Sequence, residues 1–410
     1  MIAVLWYEPV CFQSNNQRMI YDFAVGRTNP ATFPLDAFKR SALRAIERDY
    51  ALYTNYPGEL GHEGLRRLMA ERESQREGVP VAAERIALTN GSMQAVTLVA
   101  EALIQHHNDI VITEEFTYPG TISTYRDLGI RMVGVPVDAH GMRPDALERA
   151  VDELVRSGTP PRFIYTEATY QNPTGTTMPR ERRLQVLAIA KRHGLILVED
   201  NCYGDVSYEA AKPPAFYALD DYENQIYICS LSKILAPGVR LGYFMAPPAL
   251  FRRVLNRRHD AGSNTLAASI VCDYLEGKIW AHCDEQNATF RHKRDLLIDT
   301  LRAHVADSCR WSEPAGGLFL WLRLPDDVNR DKLQSLADQR GFRYARGRAF
   351  QVDNEDVAYL RLAFGHVPDE MITQGIPVLA QCIDGARTSN ESGRPASLFR
   401  AGAAKTNASD

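Results

Sequence analysis

The sequence predicts an α/β protein with a mainly parallel sheet of seven strands between helices, followed by a smaller α+β unit. Two patterns carry this. Short apolar runs recur from about residue 46 to 245, with helical stretches between the early ones. Strands that alternate with helices in this way form parallel sheets covered on both faces. After 246 the pattern changes to long helices and a few apolar strands.

In chain order, residues 1–45 read as an irregular arm followed by a helix. The expected strands are RIAL (85–88), DIVIT (109–113), RMVGV (131–135), RFIYT (162–166), LILVE (195–199), QIYICS (225–230) and RLGYFMA (240–246). MQAVTLVAEALIQHH and PRERRLQVLAIAKRH read as helices between them. The large domain therefore spans 46–245. APPALFRRVLNRRHD opens one long helical stretch. A small domain, 246–385, takes GGLFLWLRL (316–324) and YLRLAFG (359–365) as strands and packs with the arm. The polar tail 386–410 reads as disordered.

Bulk chemistry narrows the partners. The net charge is −4 with acids and bases mixed along the chain, so no nucleic-acid or membrane surface is expected. The seven cysteines are scattered, without CxxC or Cys/His metal spacing, and read as free thiols in a reducing cytoplasm. MIAVLWYEPVCF lacks a basic start and soon meets Glu8, so it does not read as a signal peptide. No apolar run reaches the roughly 18–20 residues of a membrane span.

Four stretches carry candidate chemistry. In SLSKILAPGVR (230–240), Lys233 follows an apolar strand and is flanked by serines. A lysine that forms Schiff bases must have its pKa lowered by burial or by nearby cations. Ser230 and Arg240 make an anion cradle around it; a turn with a solvated lysine is the plain alternative. In LTNGSMQAV (88–96), a Gly-Ser turn opens a helix whose N–H groups suit phosphate, although a serine cap explains it equally. In YQNPTGTTMPRE (170–181), a sharp turn puts Asn172 near the carboxyl end of a strand, where open α/β sheets bind ligands. In LILVEDNCYGDVSY (195–208), Asp200 ends an apolar strand and needs a partner, such as a pyridinium N–H, or else serves as a helix cap.

Taken together, the phosphate nest, NPTG, the strand-end Asp and S-x-S-K-x-x-x-P-G-x-R resemble fold type I pyridoxal-phosphate enzymes of the aspartate aminotransferase superfamily. GGLFLWLRLP and LRLAFGHVPDEMITQGI resemble its 2-aminoadipate aminotransferase group. The resemblance covers roughly residues 20–385. It implies pyridoxal 5'-phosphate as cofactor, an L-amino acid and a 2-oxo acid as substrates, and ping-pong transfer of the amino group.

The resemblance implies a role for each matching residue. Lys233 is the Schiff-base lysine and general base, and Asp200 the partner of the ring nitrogen. Asn172 and Tyr203 donate to the phenolic oxygen. Gly91, Ser92 and Met93 form the phosphate nest; Ser230, Ser232 and Arg240 complete the cup. Tyr118 stacks on the ring, and Tyr56 reaches the phosphate of a neighbouring subunit, which implies a homodimer with shared sites. Arg361 grips the substrate carboxylate, with Gly26 beside it.

The match has departures. ARGRAF puts Arg346 and Arg348 where the family has a proline before the glycine. With Arg27 they are candidate contacts for a second anionic group on the substrate; arginines that face solvent or pair with Asp/Glu are the plain alternative. Other pyridoxal-phosphate chemistry (elimination or replacement, decarboxylation, oxidation, carbon–carbon bond formation) is the alternative on the same site. Regulators that join such a domain to a helix-turn-helix are a further alternative, and the short stretch before the arm does not read as one.

Overall fold

A computed structural model describes residues 19–209 and 212–388. The first part of the arm and residues 389–410 of the expected tail lie outside the described residues. All seven expected strands form: β1 (Ile86–Thr89), β2 (Ile110–Glu114), β3 (Arg131–Val135), β4 (Phe163–Thr166), β5 (Ile196–Asn201), β6 (Gln225–Ser230) and β7 (Gly242–Met245). They make one sheet in the order β1-β7-β6-β5-β4-β2-β3. Most neighbours run parallel; β7 alone runs antiparallel, to β1 and β6. The central strands are rich in Ile, Val, Phe and Tyr and buried along their length, as a sheet covered on both faces requires.

This topology decides where the site lies. The carboxyl ends of β1, β4, β5 and β6 and the start of β7 meet at one edge. Gly242 stands opposite both Thr89 and Ser230. The helix Ser92–Leu103 begins directly after β1, through Gly91 at φ 86, a conformation that suits glycine. It stops at Leu103, short of the expected His107.

Two expectations are corrected. The helical stretch after β7 is not continuous but divides into Pro248–Leu255, Thr265–Leu275 and Ile279–Val305. A loop closing on Asn264, whose side chain caps the second helix, breaks the first from the second. The domain break expected at 45/46 also fails, because the helix Leu35–Asp49 runs through it.

The smaller sheet has strands β8 (Arg310–Trp311), β9 (Phe319–Arg323), β10 (Ala345–Arg346) and β11 (Tyr359–Ala363), in the order β8-β9-β11-β10. Its pairs are antiparallel, with Arg361 between Trp321 and Ala345. The arm joins this unit: Tyr21–Asp22 pairs with Phe342–Arg343, and Ala363 N–H donates to Phe23 O.

A buried arginine fastens the NPTG loop to the large sheet. Arg183 donates to Met178 O, Ala168 O, Thr169 Oγ1 and Glu199 Oε1 at 2.7–3.0 Å. Removing one partner of a buried charge pair costs about 3–5 kcal/mol. Arg183→Met is therefore expected to lower unfolding stability by several kcal/mol in urea denaturation and to weaken whatever Asn172 holds. An unchanged midpoint would show that the loop is fixed by other contacts.

Candidate active site

Lys233 lies in the turn after β6, with its amine drawn out of water. Nζ donates to Gly26 O at 2.8 Å and stands 6.0 Å from the centre of the Tyr203 ring. Burial, helped by Arg361 and Arg240, lowers its pKa to about 8, against an opposing pull from Cys202 and Glu167. A substantial fraction of the amine is thus neutral near physiological pH.

Asp200, in β5, is buried and satisfied by short-range donors. Tyr165 OH donates to Oδ2 at 2.7 Å and Cys202 Sγ to Oδ1 at 2.9 Å. Burial pushes the carboxyl up, while these two donors pull it down. A cationic ring N–H would settle the charge.

The anion cup forms where β1, β6 and β7 meet. Ser92 opens its helix, and its hydroxyl lies 3.3 Å from Cys202 Sγ, whose one proton goes to Asp200. Ser230 Oγ accepts from the Ser232 N–H at 3.2 Å. Arg240, at φ 51, folds its guanidinium back to Asn90 O at 3.1 Å. A Cβ on Gly91 would lie 2.4 Å from Arg240 Nη2, so only glycine leaves this space open. Met93 follows on the same first turn and can act through its N–H.

Arg361 is the second buried cation. Its guanidinium lies between the rings of Phe319 at 4.3 Å and Phe350 at 4.7 Å. Nη1 donates to Asn172 Oδ1 at 2.9 Å, Nη2 donates to Ala24 O, and Nε has no partner. It forms no ion pair with any carboxylate among the described residues. Because Asn172 Oδ1 is taken, its Nδ2 is left as the donor. Gly26 is a glycine for a steric reason: a Cβ there would stand 2.5 Å from the Phe319 ring.

The other expected residues are placed less uniformly. Tyr118 caps a helix and is 38% exposed, and Gly120 leaves room for its ring. Tyr203 is buried edge-on against Phe319 at 5.4 Å, and burial raises its pKa strongly. Tyr56 is 87% exposed and touches no residue around Lys233 in its own chain. Arg27 pairs with Asp22 at 3.7 Å. Of the two readings for Arg346, the structure shows the ion-paired one: Asp331 at 2.7 Å and Asp356 at 3.1 Å hold it within the small unit. Arg348 is exposed and donates to Asn354 at 3.2 Å, so it too is not brought to Arg361.

Sequence reasoning missed Tyr165, Cys202, Glu167, Phe319 and Phe350. Only Tyr165 had a local signal, since it alternates along the strand that leads to Asn172.

The class I and II aminotransferase model matches residues 21–379. The chain belongs to this family. It is 31% identical to aromatic-amino-acid aminotransferase 1 of Thermococcus litoralis, over 89% of this chain and 88% of that protein. It is 27% identical to the 2-aminoadipate transaminase of Thermus thermophilus, over 89% and 90%. Among solved structures, the multiple substrate aminotransferase of Thermococcus profundus matches with a TM-score of 0.84 at 29% identity, over 89% and 91%. The Thermus thermophilus α-aminoadipate aminotransferase, complexed with N-(5'-phosphopyridoxyl)-L-leucine, matches with a TM-score of 0.83 at 27% identity, over 90% and 92%.

This aminotransferase uses pyridoxal 5'-phosphate, and its residues fit the group. The guanidinium of Arg240, packed over Gly91 beside the helix N-terminus, suits the phosphate, Asp200 suits the ring nitrogen, and the buried amine of Lys233 suits the aldehyde. When bound, the cofactor supplies an aldehyde that condenses with amines and a ring that accepts an electron pair.

The Lys233 amine must be neutral to condense. Below its pKa it is an ammonium without a lone pair; above it the amine is free. Covalent loading of apoenzyme, followed by absorbance, is expected to speed up as pH rises through about 8 and then level off. A rate that keeps climbing toward the ordinary lysine range of about 10.4 would contradict the burial argument.

Proposed function

We propose that this aminotransferase takes the amino group of an L-amino acid with a long or aromatic side chain and passes it to a 2-oxo acid, as a homodimer with two shared sites. The observation that carries the reading is Arg361, a buried guanidinium against two aromatic rings that forms no ion pair among the described residues. An unpaired buried charge is costly, and a substrate carboxylate removes that cost. The aromatic and 2-aminoadipate activities of its relatives support the side-chain class.

In this reading Arg361 holds the α-carboxylate by its planar fork, which fixes the α-carbon above the cofactor. Gly26 lets the arm pass close to that carboxylate. Lys233 Nζ would take the α-proton and later return it two atoms along, so one group would act as base and acid in turn. Asp200 would hold the ring nitrogen. Asn172 Nδ2 and Tyr203 OH would donate to the phenolic oxygen. Tyr118 would cover the ring face. Ser92, Ser230, Ser232 and Arg240 would hold the phosphate.

Exposure of Tyr56, together with Leu43, Ile46, Tyr50 and Leu52 nearby, supports a subunit interface on this face. Cys202, Cys229, Cys272, Cys283, Cys309 and Cys382 are free thiols, which supports a reducing compartment such as the cytoplasm.

Loaded enzyme mixed with one amino acid and no acceptor should yield the matching 2-oxo acid, seen by mass. Carbon dioxide or an eliminated group in its place would contradict transamination. Arg361→Lys should raise KM for the amino acid by about 10- to 100-fold, the loss of roughly 1.5–3 kcal/mol of charged hydrogen bonding, with cofactor binding unchanged. Equal KM values would remove Arg361 from the carboxylate.

Mixing subunits tests the shared site. Lys233→Ala dimers should be inactive and Tyr56→Ala dimers weakened in cofactor binding. A hybrid of the two should regain one full site, because its intact Lys233 faces the partner's intact Tyr56. No recovery, or a purely monomeric active enzyme by sedimentation, would contradict the assignment.

A further inference from the structure

Three carboxyl groups stand side by side at the active edge of the sheet. Glu114 ends β2, Glu167 follows the last residue of β4, and Asp200 lies in β5. Because β4 runs between β2 and β5, Glu167 has an acid on each side. All three are at least nine-tenths buried. Glu114 Oε1 accepts from Thr166 Oγ1 and from the Glu167 N–H at 3.2 Å. Asp200 is served by Tyr165 and Cys202. Glu167 Oε2 accepts from the Asn172 N–H at 3.3 Å; Glu167 Oε1 and Glu114 Oε2 each lack a hydrogen-bond partner.

The surroundings of Glu167 are those of the site itself. The Tyr118 N–H faces its carboxyl. Lys233 and Arg361 are its cationic neighbours, and Tyr118, Tyr165 and Tyr203 its phenols. Three carboxylates in one buried patch cannot all be charged. Asp200 is the one that a cationic ring nitrogen can neutralise. Two donors hold Glu114 Oε1, and burial raises Glu114 to about 7. Glu167 stands between the other two acids, and burial with both of them pushes it well above the ordinary carboxyl range, so the proton falls to Glu167.

We propose that Glu167 is a further positioning residue of this site, a carboxylic acid that keeps its proton and donates it as a hydrogen bond from Oε1 toward the cofactor. A neutral acid in such a setting is a donor, as a carboxylate cannot be. It supports the charge on Asp200 without competing with it, and it leaves Lys233 and Arg361 unpaired for the cofactor and the substrate. The inference rests on the site reading above and adds a residue that the family match did not supply.

Two variants separate donor, charge and bulk. Glu167→Gln keeps shape and a donor without charge; Glu167→Leu keeps only bulk. Each is loaded with pyridoxal phosphate, and the cofactor absorbance is titrated with pH beside a cofactor-binding measurement. Glu167→Gln should keep the wild-type titration midpoint and affinity. Glu167→Leu should move the midpoint by about half a pH unit or more and weaken cofactor binding about tenfold, the loss of roughly 1.4 kcal/mol. If both variants shift alike, a charged Glu167 is needed and the proposal fails; if neither shifts, Glu167 has no part in the site and it also fails. Should Glu167→Leu not fold, an infrared comparison of wild type with Glu167→Gln decides. A protonated-carboxyl band present at neutral pH only in the wild type is expected, and its absence overturns the proposal. Lys233→Ala serves as the control for the site reading itself: if it keeps the covalent cofactor absorbance, that reading fails independently of Glu167.

Discussion

A lysine amine and an arginine guanidinium held out of water, without an ion pair to either, are what the rest of this site depends on. Burial makes the amine of Lys233 partly neutral near pH 8, and it leaves Arg361 ready for a carboxylate. Both conditions are costly for folding, and the surrounding structure offsets them. Gly26 O accepts from Lys233, and the rings of Phe319 and Phe350 cover Arg361. The arm that carries Gly26 is held by pairing with Phe342–Arg343. A single aromatic ring, Phe319, touches Tyr203, Arg361 and the space that Gly26 leaves open. The small unit therefore holds both ends of the site, the amine through the arm and the guanidinium through β11.

The large sheet supplies the opposite charges. Its parallel strands bring Glu114, Glu167 and Asp200 to one edge, and the antiparallel β7 returns Arg240 to that edge over Gly91. The acids gather at the ends of β2, β4 and β5, while the cations Lys233, Arg240 and Arg361 stand on the segments facing them. This separation lets one bound molecule satisfy several charges at once. The left-handed Arg240 is a local strain of the kind that such sites hold through surrounding contacts.

Much of this was legible along the chain. Apolar runs marked every strand of the large sheet within a few residues, because a strand buried on both faces has little freedom in composition. Lys233, Asp200, Asn172 and the Gly91-Ser92 turn were legible because each sits at a strand end with a turn residue beside it. Phe319, Phe350, Tyr165 and Glu167 were not, because their work is done across strands that lie far apart in sequence. The partners of Arg346 were hidden for the same reason: Asp331 and Asp356 come from other elements, and nothing adjacent to it in sequence names them.

The sequence by itself determined the class of fold, which follows from local patterns and short spacings, and its resemblance to a known family implied the cofactor. Tertiary structure alone decided which charges stay free. Arginine is cationic wherever it lies, but only packing showed that Arg346 meets two aspartates while Arg361 meets two aromatic rings. The same holds for the acids: whether a carboxyl keeps its proton depends on burial and on which other carboxyls share the space, and that is set by the order of strands in the sheet.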